Sequence, residues 1–141
     1  MKHFLIFSFL IISTIFSLNN NTLAQMQSGH LYTMTMIPVP NNDIQDFLKF
    51  FETDAKPMDA ENEYILSEKI FTHAWGPQWT VCIMAEYKDW EGFLAANKKS
   101  DELFQKKYPD KTVQDEIGKK WGGYLTNHTD AIVMDHPNLT K

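Results

Sequence analysis

The side chains with the widest scope for proton transfer in this sequence are its histidines, because imidazole titrates near neutral pH. His128 and Asp130 are separated by one residue, so on a strand both side chains point to the same face. A carboxylate beside an imidazole orients and charges it, which is the arrangement that a general base needs. We predict His128 and Asp130 as a catalytic pair; the alternative is that His-Thr-Asp at the start of a strand is ordinary turn and helix-cap chemistry.

A second candidate base, His73, lies among aromatic residues. Trp75 and Trp79 flank Gly76-Pro77, a turn short enough to bring the two indoles close together. Trp faces with a histidine between them suit the walls of a pocket for a flat organic ligand. We predict that His73 is catalytic and that Trp75 and Trp79 bind ligand at the pocket mouth. The alternative is that these rings pack under the turn and against a partner subunit.

Two sulfur-containing side chains of the predicted strand 78–87 have different expected roles. Methionines in strands make an adaptable pocket wall, and we predict Met84 as a ligand contact, with ordinary core filling as the alternative. Cys82 is the single cysteine of the chain, which excludes an internal disulfide and a thiolate metal cage. Its apolar surroundings favour a buried, inert thiol.

Neither the acidic residues nor any short sequence motif identifies a reaction. Glu68 and Glu86 lie in two neighbouring predicted strands, but their sequence context does not single either out, and a domain of this size offers no cleft for a glycoside substrate. The sequence contains no GxSxG, P-loop, GxGxxG, HExxH or CxxC motif. The chemistry must therefore be inferred from the elements that position the side chains.

Hydrophobic periodicity and turn residues divide the chain into four strands and two helical regions, the second of them split. The predicted strands are His30–Val39, Tyr64–Trp75, Gln78–Tyr87 and Asn127–Asp135. A helix is predicted over Asp43–Lys56, with Pro57 ending it, because Ile44, Phe47, Leu48 and Phe51 lie on one helical face. A second helical region follows Asp89 as its N-cap and is interrupted at Pro109, and Thr112 begins its last piece.

The order of these elements is β-α-β-β-α-β with a split second helix, which predicts an α+β, ferredoxin-like antiparallel sheet covered by helices on one face. The other face of the sheet is mixed and partly apolar, and such a face is seldom left to water. Two copies of the chain packed sheet to sheet would cover it, so we expect a homodimer.

The predicted strand order also bears on metal binding. We expect His30, His73 and His136 at one end of the sheet and His128 at the other. Adjacent strands lie about 4.8 Å apart, whereas zinc needs ligands at about 2.0–2.1 Å, so a site from the first three is only loosely permitted. Solvated histidines are favoured, and no metal site is predicted.

In element order, size and broken second helix, the segment from Leu31 to Met134 resembles the dimeric α/β-barrel superfamily, which includes antibiotic-biosynthesis-monooxygenase-like and stress-responsive A/B-barrel domains. The resemblance implies a homodimer whose facing sheets enclose a pocket in each subunit. Members include cofactor-free oxygenases, haem-degrading enzymes, cyclases and domains without known activity. The Asn, Trp and His that mark the haem-degrading members find no clear counterparts, so the resemblance assigns no catalytic residue.

The N-terminal segment predicts export. Lys2 precedes an apolar run from Phe4 to Leu18, and Thr22 and Ala24 occupy the −3 and −1 positions of a signal-peptidase site. Residues 1–24 are thus predicted as a signal peptide and residues 25–141 as a single domain, periplasmic or secreted from a bacterium. The alternative is an uncleaved anchor, but the run is shorter than the roughly 20 residues that span a bilayer.

The overall charge narrows the range of partners. The net charge is −5, and all 13 basic residues are lysines. An acidic chain without Arg or a basic stripe is a poor nucleic-acid binder, and no membrane partner is expected after signal cleavage. We therefore expect a dimer that binds a small hydrophobic or aromatic molecule without a cofactor. The alternatives are a cofactor-independent, monooxygenase-like enzyme and a haem-handling protein with a histidine as axial ligand.

Overall fold

The computed structural model describes residues 29–75 and 78–139, which form one four-stranded antiparallel sheet and its helices. The predicted signal peptide and the turn at Gly76-Pro77 lie outside the described residues. The strands are β1 (Leu31–Ile37), β2 (Ser67–Thr72), β3 (Val81–Tyr87) and β4 (Thr129–Met134). The helices are α1 (Ile44–Phe50), α2 (Lys56–Glu61), α3 (Trp90–Lys107) and α4 (Lys111–Tyr124).

The strands are arranged in the order β2-β3-β1-β4, which confirms the predicted α+β, ferredoxin-like class. The second helical region is split as expected into α3 and α4. Each of these helices begins at an aspartate whose carboxylate accepts backbone N–H groups: Asp89 bonds the amide of Gly92 at 2.8 Å, and Asp110 bonds that of Thr112 at 2.7 Å. These caps fix where α3 and α4 start.

The β2–β3 hairpin lies at the opposite end of the sheet from the one expected. Val81, which opens β3, pairs with Ile37 at the end of β1, because an antiparallel partner begins where its neighbour ends. The expectation that His73 gathers with His30 is therefore wrong. His73 instead shares an end of the sheet with His128, which immediately precedes β4.

Alternation along the strands gives the sheet one face covered by helices and one open face. The helix-covered face supplies core side chains such as Leu31, Ile37, Val81, Ala85 and Tyr87. Side chains of the opposite orientation form the open face, namely Tyr32, Met34, Met36, Ser67, Lys69, Phe71, Cys82, Met84, Glu86, Thr129, Ala131 and Val133. Most of the apolar members of this open face come from the two central strands, β1 and β3.

Aromatic rings join α1 and α4 above the sheet. Phe47 is completely buried and meets Trp121 and Tyr124 edge to face, with centroids 6.0 and 5.0 Å apart. Phe50 and Phe51 add further ring contacts to Trp121. Edge-to-face pairs of buried rings stabilise beyond their buried area, so this cluster fixes α4 against the first helical segment.

The first helical segment does not end at Pro57, as the sequence had suggested. A π-helical turn over Phe51–Ala55 joins α1 to α2, and the amide of Lys56 bonds the carbonyl of Phe51, five residues back. Pro57 lies in the first turn of α2, where its missing N–H is tolerated. The helical path therefore continues to Glu61, because the wider turn accommodates the proline that would break a regular helix.

Candidate functional site

His73 and Trp79 form a compact pair at the base of the β2–β3 hairpin. Their rings stack with centroids 4.5 Å apart, and Nδ1 of His73 lies 2.6 Å from the carbonyl oxygen of Trp79. A carbonyl only accepts, so Nδ1 carries the proton and Nε2 is the acceptor nitrogen, which is the tautomer of a base. Trp75 does not join this pair, since it is 94 % exposed.

His128 and Asp130 are brought together as predicted. Nε2 of His128 lies 2.9 Å from Oδ2 of Asp130, and Nδ1 lies 2.5 Å from the carbonyl of Leu125, at the end of α4. The hydroxyl of Thr35 donates to the other carboxylate oxygen of Asp130 at 2.8 Å. Both ring nitrogens of His128 thus face acceptors, so neither nitrogen is open to a substrate while these two contacts hold.

These two predicted catalytic groups do not form one site. His73 follows the edge strand β2 and His128 precedes the other edge strand, β4, with β3 and β1 between them. Three strand spacings separate them, roughly 14 Å. Met84 lies on the open face, paired with Met34, on the side of the sheet away from the helices. The catalytic and ligand-binding roles assigned to these residues stay predictions.

At the opposite end of the sheet, the open face carries a polar group around Glu86. Nδ1 of His30 lies 2.5 Å from Oε1 of Glu86, and the hydroxyl of Ser67 donates to Oε2. The hydrogen bonds from Ser67, His30 and Tyr32 hold the pKa of Glu86 below its ordinary value. Glu86 is therefore a satisfied carboxylate anion and a weak candidate for a base.

Two carboxyl groups lie instead between α2 and the helix-covered face of the sheet. Glu68 of β2 pairs with Ala85 of β3, which pairs with Thr33 of β1, so these three side chains form a row across the helix-covered face of the sheet. Burial, and to a smaller extent the neighbouring Asp59 of α2, raises the pKa of Glu68 to about 7. Burial raises the pKa of Asp59 to about 6.

Tyr87 completes this interior group. Its side chain is buried, and burial is the main cause of its raised pKa, with Asp59 and Glu68 contributing and a hydrogen bond from Thr33 opposing the rise. We call Asp59, Glu68 and Tyr87 the interior acid group. It combines two carboxyls that protonate near neutral pH with a phenol, within a partly water-excluded space.

A surface groove of about 540 Å³ lies beside Lys56 and Ile70, which neighbour the interior acid group, although Asp59, Glu68 and Tyr87 themselves do not line it. Its apolar lining comes from Leu48, Phe51 and Ile70. Lys56 also lines it and lies close enough to Glu68 to lower the pKa of that carboxyl. Ile70 follows Glu68 by two residues on the same strand face. The remaining lining is polar and consists of Gln45, Asp46, Lys49 and Glu52.

The alternation of residues in β2 indicates a special position for Glu68, although no sequence motif contains this residue. Residues 68, 70 and 72 of β2 share a face, and Ile70 packs in the core, so the same alternation places a carboxyl on the core side. A charged residue in phase with core residues is uncommon and points to a special site. Asp59 could not be found this way, because its position depends on the π-helical turn.

Over residues 29–75 and 78–139, no three or more His, Cys, Asp or Glu side chains are grouped so that they could hold a metal ion. Within that part of the chain, no helix is both long and apolar enough to cross a membrane. The thiol of Cys82 is buried, with a pKa raised by that burial, as expected for an inert cysteine.

Comparison of the sequence with family models and with curated proteins gives no match. The fold, in contrast, has relatives among solved structures. A dimeric ferredoxin-like protein from an uncultured marine organism superimposes with a TM-score of 0.57 at 14% identity, covering 81% of this chain and 93% of that one. A NIPSNAP-like domain protein from Burkholderia xenovorans gives a TM-score of 0.57 at 14% identity, covering 81% and 91%.

A third similar structure is an EthD family protein from Bacillus halodurans, with a TM-score of 0.54 at 13% identity. The match covers 76% of this chain and 99% of that one. All three solved chains are matched over more than nine tenths of their length, so the likeness concerns whole domains. The chain therefore has a ferredoxin-like fold.

Proposed function

We propose that this protein is an exported homodimer that binds a small organic molecule in the groove beside the interior acid group. The observation that supports it is a groove in which the apolar side chains of Leu48, Phe51 and Ile70 lie among polar and charged side chains. Ligand sites are typically concave and of about 300–1,000 Å³. The groove volume of about 540 Å³ falls within that range.

The homodimer is supported by the open face of the sheet and by the relatives. Phe71 and Val133 are 43% and 42% exposed on that face, beside methionines of the two central strands. Contiguous apolar surface of this kind marks an interaction site. The similar protein from a marine organism is described as dimeric, and a second copy of this chain is the partner that the same fold would use.

Export is supported by the sequence alone. The apolar run from Phe4 to Leu18 and the small residues before Gln25 fit a signal peptide. We propose that the mature chain starts at Gln25, outside the cytoplasm. This places the ligand among molecules available outside the cell or in the periplasm.

Native mass spectrometry of the protein purified from the exporting cell tests all three parts together. The expected spectrum is a dimer of chains starting at Gln25 with an added mass of a few hundred daltons per chain, lost on denaturation. Ile70→Asp should remove the added mass because it places a charge on the apolar floor, whereas Thr72→Asp, on the same face of β2 but outside the lining, should keep it. A bare monomer that retains Met1 would contradict the proposal.

A cofactor-independent oxygenase is the alternative function of the same groove. Such an enzyme also needs a base close to its substrate, and Glu68, two residues before the lining residue Ile70, has a pKa of about 7. Oxygen uptake by the purified protein in the presence of its co-purified ligand separates the alternatives. A binding protein consumes no oxygen under these conditions.

A further inference from the structure

His30 and Glu86 form a carboxylate–imidazole pair on the open face, at the end of the sheet where β1 begins. Nδ1 of His30 lies 2.5 Å from Oε1 of Glu86. An ionised carboxylate only accepts hydrogen bonds, so Nδ1 carries the proton and Nε2 has the free lone pair. Within residues 29–75 and 78–139, Nε2 makes no hydrogen bond or ion pair, and the His30 side chain is 47% exposed. The basic nitrogen is therefore open to a reagent.

Two hydroxyl groups hold Glu86 in place behind this imidazole. Ser67 of β2 donates to Oε2 of Glu86, and Tyr32 of β1 donates to the same carboxylate. With the bond from His30, they hold the pKa of Glu86 below its ordinary value, so the group stays ionised. An anion fixed behind an imidazole sets its tautomer and stabilises the positive charge that forms when the other nitrogen reacts.

The surroundings of His73 and His128 are less suited to this chemistry. Nδ1 of His73 is backed by the neutral carbonyl of Trp79, and the ring is stacked on the indole. Both nitrogens of His128 face acceptors. Of these three histidines, His30 alone combines a carboxylate on one ring nitrogen with an open second nitrogen.

The side chains beside His30 indicate the kind of substrate. Tyr32 and Met34 follow it on the same face of β1, and Met84 is the cross-strand partner of Met34, so apolar surface begins next to the imidazole. The charged and titratable side chains around this end of the face come from every strand and include Glu86, Asp135, His136, Lys69 and Lys88. Two carboxylates and two ammonium groups balance, so the local charge favours neither an anion nor a cation. A neutral molecule with an apolar part fits this surface best.

We propose that His30 is a nucleophile that cleaves neutral carboxylic esters with an apolar acyl group, and that Glu86 is its positioning residue. Nε2 forms a bond to the acyl carbon, and the bond from that carbon to the alcohol oxygen breaks. Water then attacks the acyl carbon, the bond to Nε2 breaks and the carboxylic acid leaves. The proton released from water ends on the alcohol, so one water is consumed and no oxidant or reductant is needed.

This site is separate from the proposed groove and compatible with the proposed homodimer. The groove includes Ile70, which packs in the core, and therefore lies on the helix-covered side of the sheet. His30 lies four residues from Met34, about 13 Å along the strand, whereas Met34 and Met84 are near the middle of the open face. Facing sheets lie about 10 Å apart, which leaves an entrance for an ester beside His30 at the border of the dimer.

Hydrolysis of p-nitrophenyl butyrate, followed by the release of p-nitrophenolate, tests the proposal. His30→Gln should lower the rate about tenfold or more, because the nucleophile is lost. Glu86→Gln should lower it to a similar extent. Ser67 and Tyr32 donate to the new amide oxygen, so the amide NH₂ turns to His30 and donates to Nδ1. Long-range proton–nitrogen NMR should then show the His30 proton moved from Nδ1 to Nε2, a change that loss of packing alone does not produce.

Glu63→Gln is the matched control, since Glu63 is an exposed acid that pairs with Lys99 at 3.6 Å, and it should hydrolyse the ester like the wild type. Diethyl pyrocarbonate, which acylates free imidazole nitrogens, tests the unaltered protein. Mass spectrometry of its peptides should show His30 modified faster than His128, whose nitrogens are both engaged.

Wild-type rates of hydrolysis in His30→Gln, or modification of His128 as fast as that of His30, would overturn the nucleophile. A fall in hydrolysis in Glu86→Gln without a change of tautomer would overturn the positioning role of Glu86. Neither result bears on the groove or the dimer, which native mass spectrometry tests separately.

Discussion

Glu68 places a carboxyl among side chains that otherwise serve the core. Its strand neighbour on the same face, Ile70, packs against the buried cluster of Phe47 and Phe51, while Glu68 lies below Asp59. A carboxyl in such a place opposes folding whenever it is ionised. A carboxyl at this position is explained if it is used for binding or proton transfer, since an apolar residue there would make the folded chain more stable.

The pH dependence of stability gives a direct check of this position. Burial raises the pKa of Glu68 from 4.5 to about 7, so the folded chain holds the proton more tightly than the unfolded chain. The resulting contribution is fully present below about pH 4.5 and is lost as the pH rises through about 7. Glu68→Gln should thus be more stable than wild type at pH 8 by about 1 kcal/mol, allowing for solvent screening.

At pH 4 the two chains should have the same free energy of unfolding, because Glu68 is then protonated in both states. Urea unfolding at both pH values and one protein concentration makes the measurement. Glu63→Gln serves as the exposed control, with no expected change at either pH. A Glu68→Gln protein that is less stable than wild type at pH 8 would show that the carboxylate makes a favourable structural contact.

At the scale of secondary structure, the π-helical turn is the element that sequence periodicity could not predict. The local sequence predicts that the helix ends at Pro57. The helical path continues instead, because the ammonium of Lys107, from the far end of α3, replaces the backbone N–H donor that proline lacks. Its ammonium bonds the carbonyl oxygens of Thr53 and Asp54 at 2.9 and 2.8 Å. Lys107 lies more than fifty residues away from these carbonyl groups in sequence, so no local sequence pattern predicts the contact.

Lys107→Met should lower the free energy of unfolding by about 1–2 kcal/mol, since two carbonyl groups lose a charged donor. Lys106→Met is the matched control. Lys106 bonds only the exposed Glu61 at 3.1 Å, and exposed ion pairs contribute little, so a loss below about 0.5 kcal/mol is expected. Equal losses in the two variants, measured by urea unfolding, would show that the carbonyl contacts of Lys107 do not support the turn.

What the sequence could and could not predict follows from the range of the interactions involved. The strands, the Asp89 cap and the split second helix depend on local residues, and they were predicted correctly. The end of the sheet that holds His73 depends on how β3 meets β1, and it was predicted incorrectly. The interior acid group was missed because Asp59 and Glu68 lie on different elements and meet only after folding.

At the scale of the molecule, the open face is the surface that the proposed homodimer would bury. Met84 is the cross-strand partner of Met34 near the middle of that face, so in a face-to-face dimer Met84 would lie near the centre of the interface. A dimer of this kind should bury about 2,000 Å² or more. The core of such an interface is apolar and depleted of charge.

Met84→Glu should therefore convert the dimer to a monomer at micromolar concentration, as measured by sedimentation velocity. Lys98→Glu, on the exposed surface of α3, is the control and should sediment like the wild type. Circular dichroism of both variants establishes that the monomer is folded. A Met84→Glu protein that remains fully dimeric would place the contact between subunits on another surface.

The π-helical turn has a consequence for comparing this chain with its relatives. A π-helical turn adds one residue to a helix and rotates everything beyond it by roughly 100°, which here sets the direction of Lys56 and Asp59. Deleting one residue from the five of Phe51–Ala55 would restore a regular helix and turn both side chains away from Glu68. Such a chain would keep Lys56, Asp59 and Glu68 and lose their arrangement, so we expect a relative to share this arrangement only if it also shares the length of this segment.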